Sequence, residues 1–217
     1  PMRERQHPQI GSPLRCVYCS GAVSEMLGSN RINRDEASRL VDQVIRCDKD
    51  PAYDGLTFGV VTFMSGSQKD IVFDELMKRL GSDRMILRRM RVGYPPDFQG
   101  DERDVIFISM VAHDSRPAYT STMYQQWANV AVSRARDQLW VFHSMDPSTL
   151  RPDDFRRGII EYASAPHDEK REANLYEQTE SKFERDVLKD IFDHGYQDVK
   201  PQYPVGRYRI DFVVTVA

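Results

Sequence analysis

The chain has no run of eighteen apolar residues, so no segment reads as a membrane span. Its first residues, Pro1-Met-Arg-Glu-Arg-Gln-His7, lack the apolar core of a signal peptide. No glycine is followed by lysine anywhere, so the phosphate-cradling pattern G-x-x-x-x-G-K-[ST] is absent. Positive charge is not in excess: 30 Lys and Arg stand against 33 Asp and Glu. Any polyanion would have to be met by local patches rather than by net charge. Cysteine is scarce, with three in 217 residues. Cys16 and Cys19 form a C-x-x-C, but no second pair or H-x-H follows to complete four metal ligands. They read as strand residues of a protein in a reducing compartment.

What remains is an ordinary soluble composition, 40% hydrophobic and 29% charged, which suits a cytoplasmic globular protein. The length suits one α/β domain plus something smaller. A start on Pro1 and an end on Ala217 inside an apolar strand pattern suggest a piece of a longer protein.

Hydrophobic period places the elements. Residues 1–13 read as a loose lead-in, and Leu14 to Cys19 as a strand. Asn33 opens an amphipathic helix with Ala37, Leu40, Val41, Val44 and Ile45 on one face. Residues 57–63 and 104–111 are short, β-branched apolar runs, the signature of strands buried on both faces. A helix starting near Ser65 or Ser67 runs to about Leu80, where Gly81 ends it. Met85 to Val92 reads as a further strand, 112–121 as a polar loop, 123–136 as a helix and 138–143 as a strand. Strands alternating with helices predict a doubly wound, mostly parallel α/β sheet over 1–150. Residues 151–180 read as a helical, charged linker, and 181–217 as a small α/β segment.

Four stretches carry polar groups suited to chemistry. Asn129-Val-Ala-Val-Ser-Arg-Ala-Arg136 puts two arginines where a helix meets a strand, and a guanidinium there offers a planar donor fork to a phosphate. Phe98-Gln-Gly-Asp-Glu-Arg-Asp-Val105 sets Gln99, Gly100 and Glu102 just before a buried strand. By itself it also reads as a solvated turn. Arg34 starts a helix and equally suits an exposed first-turn residue. Gln68, six residues after Thr62, equally suits a polar helix start.

Order and spacing say more than each stretch. Asn33-Arg-x-Glu-Ala37, Gly59-Val-Val-Thr62-x5-Gln68, Phe98-Gln-Gly-x-Glu102 and Asn129 to Arg136 together resemble the second RecA-like domain of superfamily 1 helicases. The similar branch is 1B, which contains the nonsense-mediated-decay RNA helicase and the replication nuclease-helicase. The resemblance covers about residues 14–145. It implies an ATP site, with Mg²⁺, completed by an N-terminal RecA-like domain. It also implies Arg34 and Arg134 at the γ-phosphate, with Arg136 beside them. Glu102 is implied at the ribose or γ-phosphate, and Gln99 and Gly100 in the nucleotide loop. Thr62 and Gln68 would lie at a single-stranded nucleic acid, DNA rather than RNA. Just before Phe98 the family carries a Ser or Thr and an acidic segment; here stands Gly93-Tyr-Pro-Pro-Asp97. Half an ATPase cleft is implied, inactive alone.

Phe183-Glu184 and Tyr208-Arg-Ile-Asp211-Phe-Val-Val214 resemble the front of a PD-(D/E)xK nuclease core of the very-short-patch-repair type. The resemblance implies Glu184 and Asp211 as Mg²⁺ ligands, completed by an E-x-K beyond Ala217. The same residues also suit an ordinary helix–strand unit. Basic groups at Arg84, Arg88, Arg89 and Arg91, and at Arg151, Arg156 and Arg157, could track a phosphate backbone or be solvated faces.

Overall fold

A computed structural model describes residues 10–63, 66–115, 117–164, 179, 181–193, 199–205 and 208–214. The chain divides into a unit of Glu4–Ala165 and a second of Pro166–Ala217 with Pro1–Arg3.

The first unit is built on five parallel strands. They are β1 (Leu14–Tyr18), β4 (Phe58–Thr62), β5 (Arg91–Gly93), β6 (Arg103–Ser109) and β7 (Ala135–His143), in the order β1-β7-β6-β4-β5. A hairpin of β2 (Glu25–Leu27) and β3 (Asn30–Ile32) stands apart from the sheet. The central strands are apolar because both faces are covered. All five residues of β4 are buried, as are the last five of β6. Helix α1 (Arg34–Lys49) lays Ala37, Leu40, Val41 and Val44 into one core with Phe58, Val60, Val105 and Phe107. Helix α2 (Gly66–Arg79) adds Val72 and Leu76 to the same core. Helices α4 (Thr122–Ser133) and α5 (Phe155–Ser164) pack on β7 and on each other. The RecA-like α/β sheet implied by sequence is present. At Gly59 a Cβ would sit 2.7 Å from Ile106 Cδ1 and 2.9 Å from Phe98 Cε1. Only glycine lets β4 lie this close to both side chains.

Three local expectations change. Residues 85–92 are not one strand: Ser82–Leu87 is helix α3, and only Arg91–Gly93 pairs in the sheet. Gly81, at φ 86°, breaks the chain from α2 into α3, and buried Arg88 turns inward onto Asp48. The helix expected over 123–136 stops at Ser133, and β7 starts at Ala135. Arg134 is therefore the helix C-cap and Arg136 a strand residue. The helix expected at the head of a linker, α5, is instead packed on the first unit through buried Phe155, Ile159 and Ile160. Most of the remaining linker lies outside the described residues.

In the second unit α6 (Lys182–Asp193) accompanies an antiparallel hairpin of β8 (Val199–Val205) and β9 (Tyr208–Val214). Leu188 and Val199 are buried there with Ile191, Phe192 and Phe212 against them. β8 is legible in sequence only with difficulty, because Pro201 and Pro204 cannot donate to a ladder.

Candidate functional site

In a parallel sheet all carboxyl ends share one edge, and loops there gather ligands. At that edge the first turn of α1 sinks into the protein. Asn33 caps the helix, accepting the Glu36 N–H at 3.0 Å. Its amide donates to Ser144 Oγ at 2.8 Å and to the Val111 carbonyl at 3.2 Å. Gln68 accepts the Asn33 N–H at 2.8 Å and donates to the Asn33 carbonyl at 3.1 Å and to Ser109 Oγ at 3.2 Å. The Glu36 carboxylate accepts from Ser109 Oγ and the Val111 N–H, both at 2.7 Å, and from Ser144 Oγ at 3.0 Å. Burial pushes its pKa up to about 7, against the lowering pull of those donors. Val111 is held at φ 66°, a left-handed geometry costly for a β-branched residue. Both its backbone groups are bonded by Asn33 and Glu36, which fix it there.

Gln68, an expected nucleic-acid contact, is thus fully buried and spent on this network. Thr62, its expected companion, is also fully buried, and its hydroxyl has no partner among the described residues. Neither presents a polar group to solvent. Arg34 does, pairing with Glu25 at 3.1 Å on the surface, the two side chains 59% and 60% exposed. Asn33, Glu36, Ser109 and Ser144 were not picked out as site residues by sequence reasoning. The Asn33-x-x-Glu36 spacing is a capping-box signal that could have found two of them. Here, however, Glu36 turns into the sheet and leaves the cap N–H to Gln68.

The amino ends of β6 and β7 carry the remaining candidates. Gln99 closes a 3-10 turn of Pro95–Phe98, and Gly100 follows at φ 78°; both are exposed. Glu102 accepts from Arg136 Nε at 3.0 Å, and Arg136 also lies 3.7 Å from Asp104. The Arg103 N–H donates to the Arg134 carbonyl at 3.0 Å, tying the end of α4 to β6. The Arg134 guanidinium folds back on its own turn, with Nε 3.2 Å from the Val130 carbonyl and one Nη 2.9 Å from Ser133 Oγ. A cation there complements the negative end of the helix. Arg134, Arg136, Glu102, Gln99 and Gly100 thus share one edge. Arg34, Thr62 and Gln68 belong to the opposite one. The seven residues of β6 separate the two edges by roughly 20 Å. Arg34 and Arg134 start from opposite edges of the sheet.

Of the basic groups noted in sequence, Arg88 and Arg156 are buried, whereas Arg84, Arg91, Arg151 and Arg157 are partly exposed and each pairs with a carboxylate. Arg88 is buried on Asp48 and the Tyr53 carbonyl, and Arg84 bonds the same Asp48 at 2.7 Å. Arg91 pairs with Asp101, Arg151 with Asp153 and Arg157 with Glu161. Cys16, Cys19 and Cys47 are free thiols, and burial pushes Cys19 up to about 12. Among the described residues no three His, Cys, Asp or Glu side chains gather for a metal. In the second unit Ser181 Oγ donates to Glu184 at 2.9 Å and accepts its N–H at 3.1 Å, a helix cap; Asp211 lies on β9. No helix among the described residues is long and apolar enough to cross a membrane.

Residues 3–146 match the family model described as AAA domain, a domain found in superfamily 1 helicase-like proteins. The chain belongs to that family. The AAA domain match spans the whole parallel sheet and both edge clusters, and it stops before α5. It marks a helicase-like domain of the nucleotide-binding P-loop class. No curated protein matches the chain significantly.

Proposed function

We propose that this AAA domain is the arginine-supplying half of an ATP-driven motor on single-stranded nucleic acid, DNA rather than RNA, working in the cytoplasm. The observation that carries the reading is the amino-edge cluster of Arg134, Arg136 and Glu102 beside the Gly100 turn, within a family match. Arginine forks fit phosphate oxygens, and an exposed glycine turn lets backbone approach a ligand. The chain has no phosphate-binding loop, so ATP and its Mg²⁺ would be held mainly by a preceding RecA-like domain. Arg134 would leave its helix-end bonds for the γ-phosphate. Arg136, now neutralised by Glu102, would sit beside it. Charge placed against the transferring phosphoryl is the chemistry that ATP hydrolysis needs from this side.

The opposite edge suits the nucleic acid. The amino termini of α1 and α2 point there, with Arg34, Arg31 and Lys69 on its rim. Helix amino termini and cations both favour phosphodiesters. Arg34 thus moves from nucleotide to nucleic acid in this reading, and Gln68 and Thr62 support that edge from within. Steady-state ATP hydrolysis by the full-length protein, with and without single-stranded DNA or RNA, tests it. Stimulated turnover that drops about 10³-fold in Arg134→Ala is expected. Turnover that survives Arg134→Ala overturns it. A second reading, a non-catalytic binding module, draws on the bonds that already occupy Arg134 and Arg136; it predicts no turnover with either nucleic acid. Glu184 and Asp211 would serve Mg²⁺ in an appended nuclease, to be tested by phosphodiester cleavage.

A further inference from the structure

Arg156 is a fully buried charged side chain of the first unit, and its helix lies outside the family match. Its partner Asp154 is as deep: both side chains are 0% exposed. A buried ion pair is costly unless its remaining donors and acceptors are all met. Here they are met by one loop. Arg156 Nε and Nη2 form a two-pronged pair with Asp154 at 2.9 and 2.7 Å. Nη1 donates to the Asp114 carbonyl at 2.9 Å, and Nη2 to those of Pro117 at 3.2 Å and Ser115 at 3.5 Å. Asp154 in turn accepts the Tyr119 N–H at 3.1 Å, and the Phe155 N–H donates to the Tyr119 carbonyl at 3.2 Å. The guanidinium also lies 4.6 Å from the centre of the Tyr119 ring.

That loop joins β6 to α4, and α4 needs holding. Of its twelve residues only Ala131 is buried. A helix with so little buried surface is placed by partly exposed contacts with the Pro95–Phe98 turn, β7 and α5, and by its two ends. The carboxyl end is tied to β6 through the Arg134 carbonyl. The amino end rests on the clasped segment: Tyr124 stacks on Phe155 at 5.6 Å, with Tyr119 edge-on at 5.0 Å.

We propose that Arg156 and Asp154 form a positioning clasp that sets α4 on the sheet through the loop before it. Through α4 the clasp sets the Arg134 guanidinium. The family domain as matched is therefore incomplete without the first turn of α5. Only the step to Arg134 rests on the motor reading; the placement of α4 does not.

The test uses amide hydrogen exchange on this chain, with Arg156→Leu/Asp154→Leu beside the wild type. Replacing both partners removes the ion pair without leaving either charge buried alone, so the denaturation midpoint should stay near wild type. Lost loop hydrogen bonds should speed exchange in residues 117–134 at least about tenfold, while β4, β6 and β7 keep their protection. Uniform acceleration across the sheet, or none in α4, overturns the proposal. If the double variant does not fold, Arg156→Lys decides. It keeps the charge but not the fork, so faster exchange confined to 117–134 is expected, and wild-type exchange there overturns the clasp. In the full-length ATPase the folded variant should lower kcat and leave KM for ATP nearly unchanged. Local exchange without a change in kcat overturns the step to Arg134 alone. No ATPase in the wild type would instead count against the motor reading.

Discussion

The two edges of one sheet are built on opposite terms. At the carboxyl edge, Asn33, Glu36, Gln68, Ser109 and Ser144 are all buried and bond one another. At the amino edge, Glu102, Arg134 and Arg136 are partly exposed and held by ion pairs and helix-end bonds. Buried polar networks are high-stakes, because each donor left without a partner carries its full desolvation cost. Exposed pairs are weakly held and can exchange partners. One edge is fixed and the other is able to respond, which is the division the proposed motor half would need.

Substitutions at the two edges should therefore fail differently. Arg134→Ala should show the largest effect and only in rate, about 10³-fold in turnover, with a melting temperature close to wild type. A large drop in melting temperature would show that the amino edge is structural after all. Glu36→Ala should do the reverse. It strands the Val111 N–H and two serine hydroxyls and should cost about 3 kcal/mol in urea unfolding. A cost under about 1 kcal/mol would mean that the network does not stabilise that edge. Gly59→Ala, which forces a methyl against Ile106 and Phe98 midway between the edges, should cost about 1–3 kcal/mol.

A pH series sharpens the contrast. Burial raises the Glu36 carboxyl to about 7, so the folded state binds this proton more tightly than the unfolded chain does. Its contribution to stability is full below the unfolded value of about 4.3 and is lost as pH rises through about 7. Glu36→Gln cannot titrate and should flatten that stretch of the stability–pH curve; an unchanged slope would assign the titration to another group. Arg34→Ala should have the smallest effect, under about 0.5 kcal/mol, because its pair with Glu25 is surface-exposed.

The buried strands were legible in sequence because β4 and β6 are nearly continuous apolar runs, a pattern tied to burial on both faces. Helix α1 was legible from its apolar stripe. The carboxyl-edge network was not. A polar residue at a helix start reads as solvated, and only the fold shows that Gln68 and Glu36 point inward. The motif residues stand out in sequence as positions, but their spacing does not show which of them are neighbours. Arg34 and Arg134 sit 100 residues apart, and nothing in their spacing tells which edge of the sheet each will reach. α3 was missed because Met85, Ile86 and Leu87 are as apolar as a strand, and Ile86 and Leu87 are in fact exposed on a short helix.

The strand order has a consequence for how the chain is made. β1 is the first strand of this sheet in chain order, yet its sheet partner is β7, with Leu14 opposite Leu139, 125 positions later. Gln138 then reaches back to the carbonyls of Ile10 and Ser12 at 3.0 and 2.8 Å. Until β7 leaves the ribosome, β1 has no ladder of this sheet to join, and its unpaired edge must wait while the rest of the sheet is made. The sheet is closed by the meeting of its oldest and youngest strands, so growth of this unit and completion of its fold are the same late event.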